Sequence, residues 1–242
     1  MKVLVTGVTG FTGGHLARYL TGRGHAVRGL VRPVSRDRGA SLEAAGMELV
    51  SGDLTDPGSL GPACRGVEVV YHIAATYRTA GQGDAAYRAI NVRGTQDLLE
   101  AARAAGVRGF VHCSTGGVHG HIERPPATED APFAPGDIYQ VTKLEAERLA
   151  RGFGEREPLE VVIARPIGIY GPGDTRFLKL FRGIARGRFP MLGSGKVFYH
   201  LTFIDDLVEG LRLCGETPGA ARRTYLLAGP AYTTLEELVN VI

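Results

Sequence analysis

Tryptophan is absent from this chain of 242 residues, and cysteine and methionine occur three times each. Cys64, Cys113 and Cys214 are odd in number, widely spaced and without a CxxC pair. That pattern argues against a disulfide framework or a cysteine-ligated metal, and reads as buried, reduced thiols in a cytoplasmic protein. No apolar run approaches the ~20 residues of a membrane span, and the N-terminus enters a strand without a signal-peptide pattern. Lysine is scarce: Lys2, Lys143, Lys179 and Lys196 stand among 28 basic residues that are otherwise arginine. Against 25 acidic residues the formal charge is only +3, which gives no electrostatic case for nucleic acid or a membrane surface. Internal repeats and low-complexity linkers are missing too.

Glycine, by contrast, is plentiful at 35 residues, and its placement is informative. Directly after the apolar run Lys2–Thr6 come Gly7, Gly10 and Gly13, in the order Thr-Gly-Val-Thr-Gly-Phe-Thr-Gly (6–13), followed by the helix-like stretch His15–Arg23. A strand, a glycine-rich turn and a helix in that order suit a nucleotide pyrophosphate, which needs uncovered N–H groups and a positive helix N-terminus. The spacing departs from GxGxxG, so position after the first strand strengthens the motif.

Short β-branched runs then alternate with amphipathic segments. Strands are expected at Lys2–Thr6, Ala26–Val31, Met47–Val50, Val67–His72, Phe110–Ser114, Glu160–Ala164 and Tyr225–Ala228. Helices are expected at Gln96–Ala105, closed by Gly106, and Tyr139–Arg151, closed by Gly152. This alternation implies an α/β fold of the Rossmann type, a doubly wound parallel sheet whose ligands sit beyond the strands' carboxyl ends. From Gly171 the rhythm changes to a basic helix, Thr175–Arg186, broken by Pro190 and Gly193–Gly195. The expected division is a dinucleotide-binding domain over 1–170, with 200–228 returning to it, and a small C-terminal substrate-binding lobe of 171–199 and 229–242. A capping box, Thr234 to Glu237, opens the final helix, which stops at Ile242 without a stop signal and suggests a truncated lobe.

Tyr139 and Lys143 are spaced to share one helix face, where an ammonium favours the phenolate and fits the phenol for proton exchange with an alcohol or ketone. Ser114 and Thr115 end a strand at the sheet edge where ligands bind, and a hydroxyl there can hold a substrate oxygen. With the glycine turn, the chain resembles the extended short-chain dehydrogenase/reductase family, the NAD(P)-dependent epimerases and dehydratases. The resemblance runs through Gly52-Asp53-Leu54, His72-Ile-Ala-Ala75, Asn91-Val-Arg-Gly-Thr95, Ser114-Thr115, Tyr139-x-x-x-Lys143, Arg165-Pro166, Tyr170-Gly171-Pro172 and Asp205-Asp206.

That resemblance implies catalysis by Tyr139, Lys143 and Thr115, with Ser114 the lesser candidate. It implies cofactor contacts from Gly7, Thr9, Gly10, Phe11, Thr12, Gly13, Asp53, Leu54, Ala74, Ala75, Asn91, Ser114, Tyr139, Lys143, Pro166 and Ile169. It also implies a homodimer through the helices that carry Tyr139 and follow Asn91, with Val141, Leu144 and Leu149 as apolar positions. Arg32, with Arg36 and Arg38 behind it, follows the second strand where NAD-preferring members carry an acid. A guanidinium suits a 2′-phosphate, so NADP(H) is favoured over NAD(H). Asp205 and Asp206 read as caps for the next helix rather than an acid–base pair.

The family pattern also breaks. Thr115-Gly116-Gly117 replaces the Thr-Asp-Glu of the sugar-nucleotide dehydratases, which removes their elimination route. Gly168 stands where sugar epimerases carry Asn, and Tyr199-His200-Leu201 replaces an Arg-Asp-Phe; both changes weaken a sugar-nucleotide grip, though Arg176, Lys179 and Arg182 could contact phosphate. His119 replaces a family tyrosine near the substrate, and His119 with His121 makes no metal site. The leading reading is an NAD(P)-dependent oxidoreductase on a hydroxyl/ketone pair of a small-molecule substrate, of the sugar or sugar-nucleotide epimerase type. Its alternatives are an NADPH-dependent ketone reductase like the dihydroflavonol reductases and hydroxysteroid dehydrogenases, and a non-catalytic NADP(H) sensor.

Overall fold

In the computed structural model, which describes residues 1–79 and 81–242, seven strands pair in parallel. They are β1 (Lys2–Thr6), β2 (Ala26–Val31), β3 (Glu48–Ser51), β4 (Val69–His72), β5 (Gly109–Cys113), β6 (Glu160–Pro166) and, later in the chain, β10 (Thr224–Leu227). Between the last two lie β7 (Ile169–Tyr170), β8 (Phe198–Tyr199) and β9 (Thr202–Phe203), and β11 (Thr233–Thr234) follows. The sheet order is β3-β2-β1-β4-β5-β6-β10, while β7 pairs with β9 and β8 with β11. Strand order therefore reverses between β1 and β4, which opens a crevice at their carboxyl ends.

The helices are α1 (Phe11–Gly22), α2 (Ala40–Glu43), α3 (Leu60–Cys64), α4 (Asp84–Tyr87), α5 (Gly94–Ala104), α6 (Ile138–Arg156), α7 (Leu178–Ala185), α8 (Ile204–Glu216) and α9 (Leu235–Val241). Both faces of the sheet are buried, so alternate residues of one strand serve different cores. Val3 and Val5 pack with Leu16, Leu20, Leu207 and Leu211 from α1 and α8. Leu4 points the other way, into Leu60, Leu98, Leu99 and Phe153 from α3, α5 and α6. Cys64, Cys113 and Cys214 are free and buried. No helix among the described residues is long and apolar enough to cross a membrane.

Three local expectations need correction. Gly152 does not close α6, which runs on to Arg156 because Phe153 is buried and Gly154 presses the helix onto Val161, where a Cβ would stand 2.8 Å away. Asp205 and Asp206 lie inside the first turn of α8 behind Phe203 as N-cap, so they favour the helix through its dipole rather than by capping. Leu144, counted as an interface position, is buried in the chain's own core at 6% exposure. The capping box of Thr234 and Glu237 is present as the sequence implies.

One buried ion pair ties α6 to β6. Arg165 and Glu147 are each 1% exposed and pair bidentately, with Nε donating to Oε2 at 3.0 Å and a second donor on Oε1. Burial pushes the Glu147 carboxyl up, but the hydrogen bonds and charge of Arg165 bring it below its ordinary 4.5. A depressed carboxyl stabilises the fold above its unfolded pKa, and that contribution is lost as pH falls below about 4.5. Glu147→Gln leaves the guanidinium buried without its charge partner, and urea unfolding should show a loss of about 3–5 kcal/mol at neutral pH that shrinks on acidification.

Candidate active site

The glycine turn between β1 and α1 is built for close approach. Gly7 is left-handed at φ +73°, and a Cβ there would meet the Ala74 backbone at 3.0 Å. A Cβ on Gly13 would stand 2.2 Å from the Gly7 carbonyl, so the helix can rest on the turn only without a side chain. Gly10 is the N-cap, contributes no side-chain cap, and no acid occupies the first turn. Those first N–H groups keep their capacity for an anion, which is the cradle a dinucleotide pyrophosphate fits. Thr9, Phe11 and Thr12 are half-buried beside it.

Behind the cradle runs a buried polar chain. Thr6 Oγ1 accepts from the N–H groups of Ile73 and Ala74 at 3.1 Å each, so its own proton goes to His72 Nδ1 at 2.9 Å. His72 must then carry its proton on Nε2 and donate to Thr95 Oγ1 at 2.9 Å, which donates to the Asn91 carbonyl at 2.6 Å. Burial, with the charge of Lys143, pulls the His72 pKa down to about 3, so the ring stays neutral. Asn91 is 1% exposed and fully committed: Oδ1 accepts from Thr76 N at 2.7 Å, and Nδ2 donates to Thr76 O and Thr142 Oγ1. Its amide thus braces the segment after β4 against α6.

At the end of β5 the two hydroxyls part ways. Ser114 is buried and donates to Glu147 Oε2 at 2.8 Å, so its side chain belongs to the ion pair. Thr115 accepts from Gly117 N at 3.1 Å and lies close enough to the Tyr139 phenol to favour its ionised form. Burial raises the pKa of Tyr139, with further upward pushes from Cys113 and Tyr77, while Thr115 and Arg78 pull the other way. The spacing of Lys143 predicts a favoured phenolate; here desolvation outweighs the pull of Thr115 and Arg78, and the phenol is held in its neutral, proton-donating form. Lys143, one turn further along α6, is buried, and burial lowers its pKa against the opposing pull of Cys113 and Glu147.

Other candidates sit at varied distances from the cradle's needs. Arg32 stands exposed at the end of β2, and Arg36 pairs with Glu43 at 3.3 Å. Asp53 Oδ1 is spent on Thr55 N and Oγ1, at 2.9 and 2.8 Å, and buried Leu54 packs on Gly94 of α5. Ala74 and Ala75 line the β4 end, half-buried, while Pro166 is buried and Ile169 packs on the core. His119, expected beside the substrate, is instead 3% exposed and joins the ion-pair network: Arg165 donates to Nε2 at 3.0 Å, and Nδ1 serves the Pro132 carbonyl at 3.2 Å.

Sequence reasoning missed Tyr77, whose ring meets Tyr139 edge-on at 4.9 Å, and Arg78, which holds Asp137 at 2.8 Å. Asp137 caps α6 by accepting from Gln140 N at 2.7 Å, which fixes the turn that carries Tyr139. An acid just before a helix was a readable signal there; Tyr77 and Arg78 sit in an irregular segment that offered none.

With that geometry in view, comparison with known proteins is specific. A model of the NAD dependent epimerase/dehydratase family matches residues 3–228. The chain is 34% identical over 240 residues to a 3 beta-hydroxysteroid dehydrogenase/Delta 5-->4-isomerase of Mycobacterium tuberculosis, covering 91% of this chain but 63% of that protein. It is 32% identical to a 2-alkyl-3-oxoalkanoate reductase of Stenotrophomonas maltophilia, covering 99% of this chain and 74% of the relative. Among solved structures, the dTDP-glucose 4,6-dehydratase DesIV of Streptomyces venezuelae, with NAD and TYD bound, superposes with a TM-score of 0.86 at 31% identity, covering 100% of this chain and 80% of that one.

The cradle makes a direct prediction. Gly13→Ala should abolish NAD(P)(H) binding by titration calorimetry, because the new methyl pushes the turn off α1, while far-ultraviolet circular dichroism retains the α/β signature.

Proposed function

Because the chain belongs to the NAD dependent epimerase/dehydratase family, we propose that it interconverts a ketone and an alcohol using a nicotinamide cofactor. Within that chemistry we favour a reductase or dehydrogenase whose substrate carries no nucleotide diphosphate. The observation that carries the reading is the nearness of the Thr115 hydroxyl, after β5, to the half-buried Tyr139 phenol in the first turn of α6, with Lys143 buried one turn further on. When bound, the cofactor supplies hydride chemistry. The residues of the chain supply the rest: the glycine turn and α1 hold phosphate, Lys143 orients the ribose, and Ala74 and Ala75 give a close, uncharged wall.

In the reductive direction Thr115 holds the carbonyl oxygen and Tyr139 gives it a proton as the carbon gains hydride. The raised pKa of Tyr139 suits that role, since the acid form persists through neutral pH. The preference over sugar nucleotides draws support from Gly168 and His200. Gly168 is left-handed at φ +39°, and a Cβ there would stand 2.4 Å from the His200 carbonyl, so the Asn of sugar epimerases has no room. His200 itself is hydrogen-bonded to the Gly229 carbonyl at 2.8 Å. The names of the hydroxysteroid and oxoalkanoate relatives point the same way.

We further read Arg32 as the contact for a 2′-phosphate, hence NADP(H), and the active form as a cytoplasmic homodimer. Three measurements check the proposal. Tyr139→Phe should lower kcat for ketone reduction about 10²–10⁴-fold while leaving cofactor Kd unchanged, whereas a redox sensor would keep all its function. The wild-type reductive rate should hold across neutral pH and fall only on the alkaline side, where the proton donor is lost. Arg32→Asp should shift the ratio of NADP to NAD affinity toward NAD by about tenfold or more, read by cofactor titration.

A further inference from the structure

Arg176 lies outside the catalytic constellation yet reaches back to its mouth. Its Nε donates to Asp174 Oδ1 at 2.7 Å and one Nη to the Ile169 carbonyl at 2.8 Å, so the planar fork is held on two sides. The guanidinium carbon then sits 5.2 Å from the centre of the Phe11 ring and 6.0 Å from that of Tyr77, within reach of cation–π attraction to both. Phe11 opens α1, next to the N–H groups that the glycine turn exposes. Tyr77 packs against Tyr139. The same segment is pinned to α1 a second time, by the hydrogen bond of His15 Nε2 with the Pro172 carbonyl at 3.1 Å.

Asp174 shows how firmly the arginine is fixed. Its side chain is 3% exposed, and its second oxygen, Oδ2, has no hydrogen-bond partner among the described residues. A buried carboxylate oxygen left without a donor is unfavourable, and the charge that offsets it here is that of Arg176. The guanidinium is thus held in one orientation over two aromatic rings from opposite sides of the β1–β4 crevice.

We propose that Arg176 is a clasp on the dinucleotide: it ties segment 171–176 across the cleft between Phe11 and Tyr77, places positive charge beside the phosphate-binding end of α1, and sets how fast the cofactor leaves. The inference rests on the dinucleotide reading of the cleft. Release of NADPH and NADH is followed by stopped-flow fluorescence from the wild type, Arg176→Ala, Arg176→Lys and Asp174→Asn, together with thermal melts of the nucleotide-free proteins. Arg176→Ala should release cofactor about tenfold faster, with a matching rise in Kd. Arg176→Lys should fall between, since it keeps the charge and loses the planar stack. Asp174→Asn should speed release although the guanidinium remains.

Release from Arg176→Ala within about twofold of wild type overturns the clasp. Should Arg176→Ala melt early, unchanged release from both Arg176→Lys and Asp174→Asn overturns it instead. Failure of the wild type to bind either dinucleotide would sink the underlying reading as well, whereas tight binding with release indifferent to Arg176 sinks the clasp alone.

Discussion

Three hydrogen bonds converge on the hydroxyl of Thr6, at the place where the strand order of the sheet reverses. Two of them hold the backbone that follows β4 against the end of β1, and that backbone is the wall on which Gly7 leans. The third orients His72, and through Thr95, Asn91 and Thr142 the chain of bonds reaches the first turn of α6. The glycine turn and the helix that carries Tyr139 are therefore referenced to one internal frame. Hydride and proton transfer need reacting groups aligned to within fractions of an ångström, and a fully satisfied buried network is a way to hold them there.

A second buried assembly divides labour between adjacent residues. The Arg165–Glu147 pair claims the Ser114 hydroxyl, which turns it into the interior and leaves Thr115 as the hydroxyl beside Tyr139. The same guanidinium engages His119 and the Glu129 carbonyl at 2.7 Å, so the loop after β5 is fastened to β6. A low-dielectric surrounding makes each charge in this region count. It keeps Tyr139 protonated, lowers Lys143, and makes an unpaired Glu147 or Arg165 expensive.

The fold was legible because its signals are local. The runs Lys2–Thr6 and Ala26–Val31 coincide with β1 and β2, and the glycine turn declares itself by position after the first strand. Tyr139 and Lys143 stand out by spacing, and Thr115 by its place after a strand end. What escaped was set by partners distant in sequence. Ser114, the lesser candidate beside Thr115, gives its hydroxyl to Glu147, and the amide of Asn91 is held by Thr76 and Thr142; none of these partners is adjacent in sequence. The sign of the Tyr139 shift escaped for another reason: spacing reveals a nearby cation but not the depth of burial that opposes it. Gly152 misled in the same way, since packing of Phe153 and Gly154 overrode a weak local stop.

The central claim is direct hydride exchange between a nicotinamide cofactor and a ketone or alcohol carbon, and isotope transfer tests it most directly. The protein is incubated with NADPH or NADH deuterated at the transferring position, together with cyclic and acyclic ketones and, separately, sugar nucleotides, and products are analysed by mass spectrometry. Deuterium on the carbinol carbon of a reduced ketone, with an equal amount of oxidised cofactor, is the predicted result. Epimerised sugar nucleotide with no net cofactor oxidation, or bound cofactor with no label transferred to any ketone, would contradict it.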